Sequence, residues 1–197
     1  MAIASKATLR KQLLATRRSV TDDVRIAEAR MLSQHLEPLV TSASTICAYV
    51  PVGTEPGTIE ILDMLLSKTG RVLLPVARTS GDKTPLPLRW GEYRPGELTS
   101  GPWKLFEPPK PWLPESALAE ANLVLVPALA VDRHGVRLGR GGGFYDRSLA
   151  GRDPHAQLIT IVRDPELLNE LPSEPHDVRM THAVMPKRGV IALPCRE

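Results

Sequence analysis

The sequence predicts a layered α/β sandwich, with a mainly parallel sheet flanked by helices. Three observations carry this. Apolar runs of strand length, such as residues 45–50 and 71–76, alternate with segments whose leucines recur at helical spacing. The helical segment between those two runs makes a strand, helix, strand unit, whose right-handed crossover implies parallel pairing. A glycine-rich segment follows the most apolar run, 123–131, and so falls at a strand end, where open parallel sheets bind ligands.

Length and composition support one unit spanning residues 1–197. A chain of 197 residues can bury a proper core, and 42% apolar content excludes a disordered chain. No apolar run approaches the roughly 20 residues needed to span a bilayer, so no membrane partner is expected. Residues 1–11 lack the apolar core of a signal peptide, and a cytoplasmic location is expected. Cys47 and Cys195 are isolated and form neither a disulfide framework nor a metal motif; they read as buried or incidental thiols. The formal net charge is +3 with a pI near 9.0, a mild excess that suits anionic ligands. The arginines are spread along the chain and no DNA- or RNA-recognition motif is present, so small anions are expected rather than nucleic acid.

Taken in order, residues 5–19 read as a helix, with Ser5 as N-cap and Leu9, Leu13 and Leu14 on its apolar side. At 100° per residue, Lys6, Arg10 and Arg17 fall within about 40° of one another, among those leucines. Cations there call for a buried or bound anion; alternatively, Lys6 and Arg10 snorkel from the rim and pair with carboxylates. Lys11 and Arg18 point further round, toward solvent. Thr21 and the acidic pair Asp22-Asp23 start a second helix, with Val24, Ala27, Met31, Leu32, Leu36 and Leu39 as its buried side. Residues 45–50 form the first core strand, 51–57 the loop at its end, and 58–68 a helix with Ile59, Leu62, Leu65 and Leu66 inward, closed by Gly70. The second strand is 71–76. Residues 77–114 form a proline-rich excursion with a short strand at 87–90 and the aromatics Tyr93, Trp103, Phe106 and Trp112; long excursions of this kind are often binding loops. A short helix at 116–121 leads to the strand 123–131. After the glycine segment come a helix to Leu149, a strand at 158–162, a short helix at 166–171 and a last strand at 190–193.

The glycine segment, His134 to Arg147, has four glycines within five positions, Gly139, Gly141, Gly142 and Gly143, with Arg137, Arg140 and Arg147 around them. Glycine contributes no side chain to a core, whereas successive amides in a glycine-rich turn form an anion-binding concavity, helped by a helix beginning after it. The standard patterns do not fit. A dinucleotide fingerprint starting at Gly139 needs a third glycine where Phe144 stands, and no Gly-Lys-Ser/Thr closes a P-loop.

The run from Gly135 to Arg147 instead resembles the signature of the 5-formyltetrahydrofolate cyclo-ligase family. The resemblance extends through Lys6, Leu9 and Arg10, Val50 and Glu55, Glu107-Pro108, Val126-Pro127, Asp132 and His176-Asp177, and so covers nearly the whole chain in order. It implies the NagB/RpiA/CoA-transferase-like layered fold and an ATP- and Mg²⁺-dependent cyclisation of 5-formyltetrahydrofolate to 5,10-methenyltetrahydrofolate, releasing ADP and phosphate. In that chemistry the γ-phosphoryl group goes to the formyl oxygen and N10 attacks the activated carbon. The resemblance implies that Lys6, Arg10, Arg137, Leu138, Gly139, Arg140, Gly141, Gly142, Gly143, Phe144 and Tyr145 hold ATP. It further implies that Val50, Glu55 and Tyr145 contact the folate, that Asp146 and, as a second candidate, Asp177 serve Mg²⁺, and that Arg140, Lys6 and Tyr145 act on the reacting groups. Trp90 or Trp103 can stack on a flat ring. The expected partners are therefore 5-formyltetrahydrofolate and ATP, bound by a monomer. Three positions depart from the pattern: Trp103-Lys104 stands where the family often has Phe-Gly, Thr181 where an aspartate is frequent, and Phe144 where tyrosine is frequent. A non-catalytic nucleotide- or RNA-binding relative on the same scaffold is the alternative, and it predicts strongly salt-dependent binding without turnover.

Overall fold

The computed structural model describes residues 5–42, 44–174 and 177–195; His176 lies outside them. In chain order the elements are α1 (Lys6–Arg18), α2 (Asp22–Leu36), β1 (Thr45–Cys47), α3 (Ile59–Thr69), β2 (Arg71–Val76), β3 (Arg89–Glu92), β4 (Thr99–Ser100) and β5 (Phe106–Glu107). They continue with β6 (Leu123–Pro127), β7 (Ala130–Asp132), β8 (Arg137–Leu138), α4 (Phe144–Ser148), β9 (Gln157–Ile161), β10 (Leu167–Leu168), β11 (His182–Met185) and β12 (Gly189–Ala192).

A seven-stranded sheet in the order β12-β11-β9-β6-β1-β2-β3 organises the molecule. Its five inner strands are parallel, while β3 and β12 run antiparallel at the edges. The unit β1-α3-β2 pairs Ile46 with Val72 and Cys47 with Leu73, the parallel arrangement its crossover requires. Successive strand residues face opposite sides, so each side has its own core. Cys47, Leu73, Val124, Val126 and Leu158 lie on one side with Trp90. Ile46, Leu74, Leu125 and Ile159 lie on the other, under Leu32 and Leu36 of α2 and Leu62 and Leu65 of α3. Each such leucine contributes about 1.5–3 kcal/mol by burial, and Leu65→Ala costs about 2–5 kcal/mol once its cavity is included.

Local chemistry sets the helix ends. Ser5 Oγ accepts the Thr8 amide at 3.2 Å to cap α1, and Gly70 closes α3 at φ +74°, a left-handed conformation that glycine adopts without strain. Helix α2 buries Ala29, Leu32 and Leu36 rather than the longer stripe read from the sequence. Only its C-terminal half meets the sheet, leaving Val24 48% exposed. Ile59, the first residue of α3, is likewise on the surface.

The expected continuous strand 123–131 is broken in two, and this break shapes the site. Pro127 ends β6 paired to Ile161; the chain then turns out of the large sheet at Ala128-Leu129 and enters a smaller sheet ordered β10-β7-β8. The carbonyls exposed by the turn are satisfied by Arg17, whose Nη2 donates to Ala128 O at 2.9 Å and Leu129 O at 3.4 Å. Arg17 is 1% exposed and also pairs with Glu166, Nε to Oε1 at 2.7 Å and Nη2 to Oε2 at 2.8 Å. Burial opposes its charge, but the Glu166 carboxylate outweighs this and raises its pKa. For Arg17, the buried anion that its place among the leucines calls for is therefore Glu166, itself 5% exposed. The helix expected at 166–171 is absent: Pro165 begins a 3-10 turn at Asp164–Glu166, the Glu166 side chain is taken by Arg17 and the Arg163 amide, and the chain extends into β10. Strand β3 lies two residues beyond the expected 87–90, and β11 forms where the sequence pattern predicts no strand.

Candidate functional site

The ends of β1, β2 and β6 open into a cavity of about 500 Å³. Tyr49, Val50, Val52 and Glu55 come from the segment after β1, Pro75 and Ala77 from the end of β2, and Pro127 and Ala128 from the turn after β6. Arg137, Gly139 to Gly143, Phe144, Tyr145 and Asp146 form the facing wall. The rim is Trp103, Leu105 and Phe106 on the β4-β5 hairpin.

Segment 139–143 is shaped for close backbone approach. Gly141 has φ +96° and Gly143 φ +71°, left-handed values that a larger residue adopts with strain. The Arg10 guanidinium lies against Gly141, 3.5 Å from where a Cβ would stand, and its Nε donates to Gly139 O at 2.9 Å. Helix α1 reaches the segment because Leu9 and Leu13 pack on the small core of Ala130, Val136, Leu138 and Leu171. Leu138 thus serves through packing and backbone, its carbonyl accepting the Leu129 amide at 2.7 Å. Before the segment, buried Asp132 accepts the amides of His134, Val136 and Leu171 at 2.9 Å each, fixing the turn that leads into it.

Charge pairs join the two walls. Arg140 Nε donates to Glu55 Oε1 at 3.0 Å, and Glu55 Oε2 accepts the Val52 amide at 3.0 Å. Glu55 is 8% exposed, whereas the Arg140 side chain is about half exposed and can swing toward a ligand. Arg137 donates through Nη2 to Asp146 and lies 5.9 Å from the centre of the Tyr145 ring; its buried Nε has no partner among the described residues. The Tyr145 hydroxyl is also buried without a partner, and desolvation raises its pKa well above the usual value, so it stays a neutral donor. Tyr49 beside it is shifted upward for the same reason. Two unsatisfied buried donors on one cavity wall are costly unless a ligand completes them.

Of the sequence-derived site residues, Val50, Glu55, Arg137, Gly139, Arg140, Gly141, Gly142, Gly143, Phe144, Tyr145 and Asp146 line this cavity. Arg10 joins it through Gly139. Lys6 and Asp177 form a neighbouring cluster: Lys6 Nζ bonds Asp177 Oδ2 and Glu174 Oε1, each at 3.2 Å. Burial lowers the Lys6 pKa, but those carboxylates outweigh it and leave the ammonium more basic than usual. The tryptophans separate. Trp90 is 1% exposed within the core, whereas Trp103 is at the cavity rim, 5.6 Å from the Phe144 ring centre and in the left-handed region at φ +56°. Sequence reasoning missed Tyr49, Leu88 and Leu105, because apolar patterning does not distinguish a cavity wall from core. Among the described residues no cluster of three or more His, Cys, Asp or Glu side chains is placed to hold a metal ion, and no helix is long and apolar enough to cross a membrane.

Comparison with known proteins gives the family and the fold. A sequence model of the 5-formyltetrahydrofolate cyclo-ligase family matches residues 2–186. The chain is 57% identical over 193 residues to the 5-formyltetrahydrofolate cyclo-ligase of Mycolicibacterium smegmatis, covering 98% of this chain and all of that protein. It is 30% identical to the Escherichia coli K12 enzyme of the same name, over 82% of this chain and 87% of that one. The fold matches the 5,10-methenyltetrahydrofolate synthetase structure from Aquifex aeolicus with a TM-score of 0.77 at 20% identity, covering 98% of this chain and 94% of that one. With a family match across most of its length and a close full-length relative, the chain belongs to the 5-formyltetrahydrofolate cyclo-ligase family.

Proposed function

We propose that the cavity carries out the reaction of this family, the ATP-dependent cyclisation of 5-formyltetrahydrofolate to 5,10-methenyltetrahydrofolate, with the division of labour that follows. The observation that carries the reading is the Arg140–Glu55 contact at 3.0 Å, which joins a glycine-rich anion cradle to a buried carboxylate within one cavity. Glu55 accepts paired N–H groups from the pterin, and Arg140, on release from Glu55, turns to the phosphates. Segment 139–143 holds the triphosphate with its backbone amides, backed by Arg10, while Lys6 at the start of α1 supplies a further cation.

Phosphoryl transfer asks the protein mainly for position and charge stabilisation. The formyl oxygen attacks the γ-phosphorus and ADP departs. N10 then attacks the activated carbon, the C–O bond breaks, and the oxygen leaves with phosphate, which takes up the proton that N10 gives up. Arg140 and Lys6 offset charge on the transferring group, and the Tyr145 hydroxyl, which has no partner among the described residues, donates to the folate. Trp103 at the rim presents its flat ring to the substrate.

Asp146 fits a Mg²⁺ ion carried by the nucleotide. It is a partly exposed carboxylate on the cavity wall beside the incompletely satisfied Arg137, and Mg²⁺ needs only one or two carboxylates when phosphate oxygens and waters complete its shell. The ion's contribution is to neutralise phosphate charge. Asp177, bonded to Lys6, is better placed to orient that lysine. The direct test mixes purified protein with 5-formyltetrahydrofolate, ATP and Mg²⁺ and follows methenyl absorbance. Product that requires both ATP and Mg²⁺ supports the reading; no product from folded protein refutes it.

A further inference from the structure

We infer that Arg163 is a positioning residue for Glu55, acting through the backbone of the loop after β1. Arg163 stands just past the end of β9, on a different strand from the loop, and its side chain is buried at 7% exposure. It works in two directions. Nε donates to Glu28 Oε2 on α2 at 2.7 Å, and Nη1 donates to the Thr54 carbonyl, immediately before Glu55, at 3.1 Å. Its own amide donates to Glu166 Oε2 at 2.7 Å, so the chain of charge continues through Glu166 to Arg17 and the turn after β6.

The loop needs such an anchor. Gly53 at φ +60° and Gly57 at φ +97° give its backbone unusual freedom, and its internal bonds are few: Glu55 N to Val52 O at 3.2 Å and Val52 N to Glu55 Oε2 at 3.0 Å. Arg25 also donates to Gly53 O, but its side chain is about one-third exposed and competes with water. Arg163 is the buried tie. The planar fork matters, because one guanidinium presents Nε to a carboxylate and Nη1 to a carbonyl in fixed geometry, whereas a lysine ammonium is a single point on a flexible stem.

The inference rests on the reading of Glu55 as the folate carboxylate, and its test has a readout that does not. Arg163→Lys keeps a charge for Glu28 and removes the fork; Arg163→Met removes both. We expect Arg163→Lys to raise KM for 5-formyltetrahydrofolate at least tenfold, with KM for ATP within twofold and kcat within threefold of the parent enzyme. Without any substrate present, hydrogen exchange at the Val52 and Glu55 amides should accelerate at least tenfold. Arg163→Met should show the same pattern with a lower melting temperature. Parent-like exchange at Val52 and Glu55 in Arg163→Lys overturns the inference, because charge pairing alone would then hold the loop. Accelerated exchange with an unchanged folate KM sustains the anchoring of the loop and instead refutes the assignment of Glu55 to the folate.

Discussion

Replacing Arg17 by methionine should cost this protein a large part of its stability while leaving its substrate contacts in place. The guanidinium is 1% exposed and holds four acceptors: both Glu166 oxygens at 2.7 and 2.8 Å, and the carbonyls of Ala128 and Leu129. Methionine fills comparable volume but leaves the Glu166 carboxylate, 5% exposed, with only the Arg163 amide at 2.7 Å. Removing one partner of a buried pair costs about 3–5 kcal/mol, because the remaining charge is uncompensated. For a chain of this length each kcal/mol moves the melting temperature by about 2–4 °C, so Arg17→Met should melt roughly 6–20 °C below the parent. Arg17→Met/Glu166→Gln removes both charges and keeps an acceptor for the Arg163 amide. It should therefore lose less than the two single variants summed, with a coupling of about 1–3 kcal/mol in urea and thermal melts. A fall of less than 2 °C in Arg17→Met, together with a raised KM for ATP, would refute the reasoning and point instead to Arg17 as a phosphate-binding cation.

Three further outcomes follow from the same structure. Glu55→Gln removes a charge-assisted acceptor worth about 1.5–3 kcal/mol, so kcat/KM for the folate should fall roughly 10- to 150-fold in steady-state assays while ATP affinity measured by calorimetry holds. Gly101→Ala would set a Cβ 2.3 Å from Glu107 Cδ, a buried carboxylate paired bidentately with Arg78 at 2.5 and 2.9 Å; the hairpin bearing Trp103 should shift, raising KM for the folate more than KM for ATP. Burial lowers the His182 pKa, so the neutral ring is preferred in the fold. Its contribution to stability is full above pH 6.5 and is lost as pH falls through the lower folded-state value, a slope in denaturant midpoints that His182→Gln should flatten.

Much of the site is legible in the sequence because its parts are unusual there. Glycines at 139 and 141–143 cannot be core, and a helix with Lys6, Arg10 and Arg17 among its leucines announces charges that need partners. Which partner each cation takes is a tertiary matter: Arg10 reaches Gly139 O, Lys6 reaches Glu174 and Asp177, and Arg17 takes Glu166, a residue 149 positions away. The parallel order of β1 and β2 follows from a local crossover and is readable. The break of 123–131 at Pro127 is harder to read, because Val and Leu continue on both sides of it and only the long-range bonds from Arg17 make the turn affordable. Strand β11, His182–Met185, escapes notice because its four residues include one β-branched side chain and no alternation. Trp90 and Trp103 look alike in sequence, yet one is core and the other stands at the cavity rim.

In the proposed reaction one cavity brings the triphosphate and the formyl group together so that the formyl oxygen leaves as phosphate. 5-Formyltetrahydrofolate carrying ¹⁸O in the formyl group tests it most directly, with the released phosphate analysed by mass spectrometry after a single turnover in unlabelled water. One ¹⁸O atom in the phosphate is expected for each methenyl product formed. Product accompanied by unlabelled phosphate, with the ¹⁸O recovered in water, would contradict it.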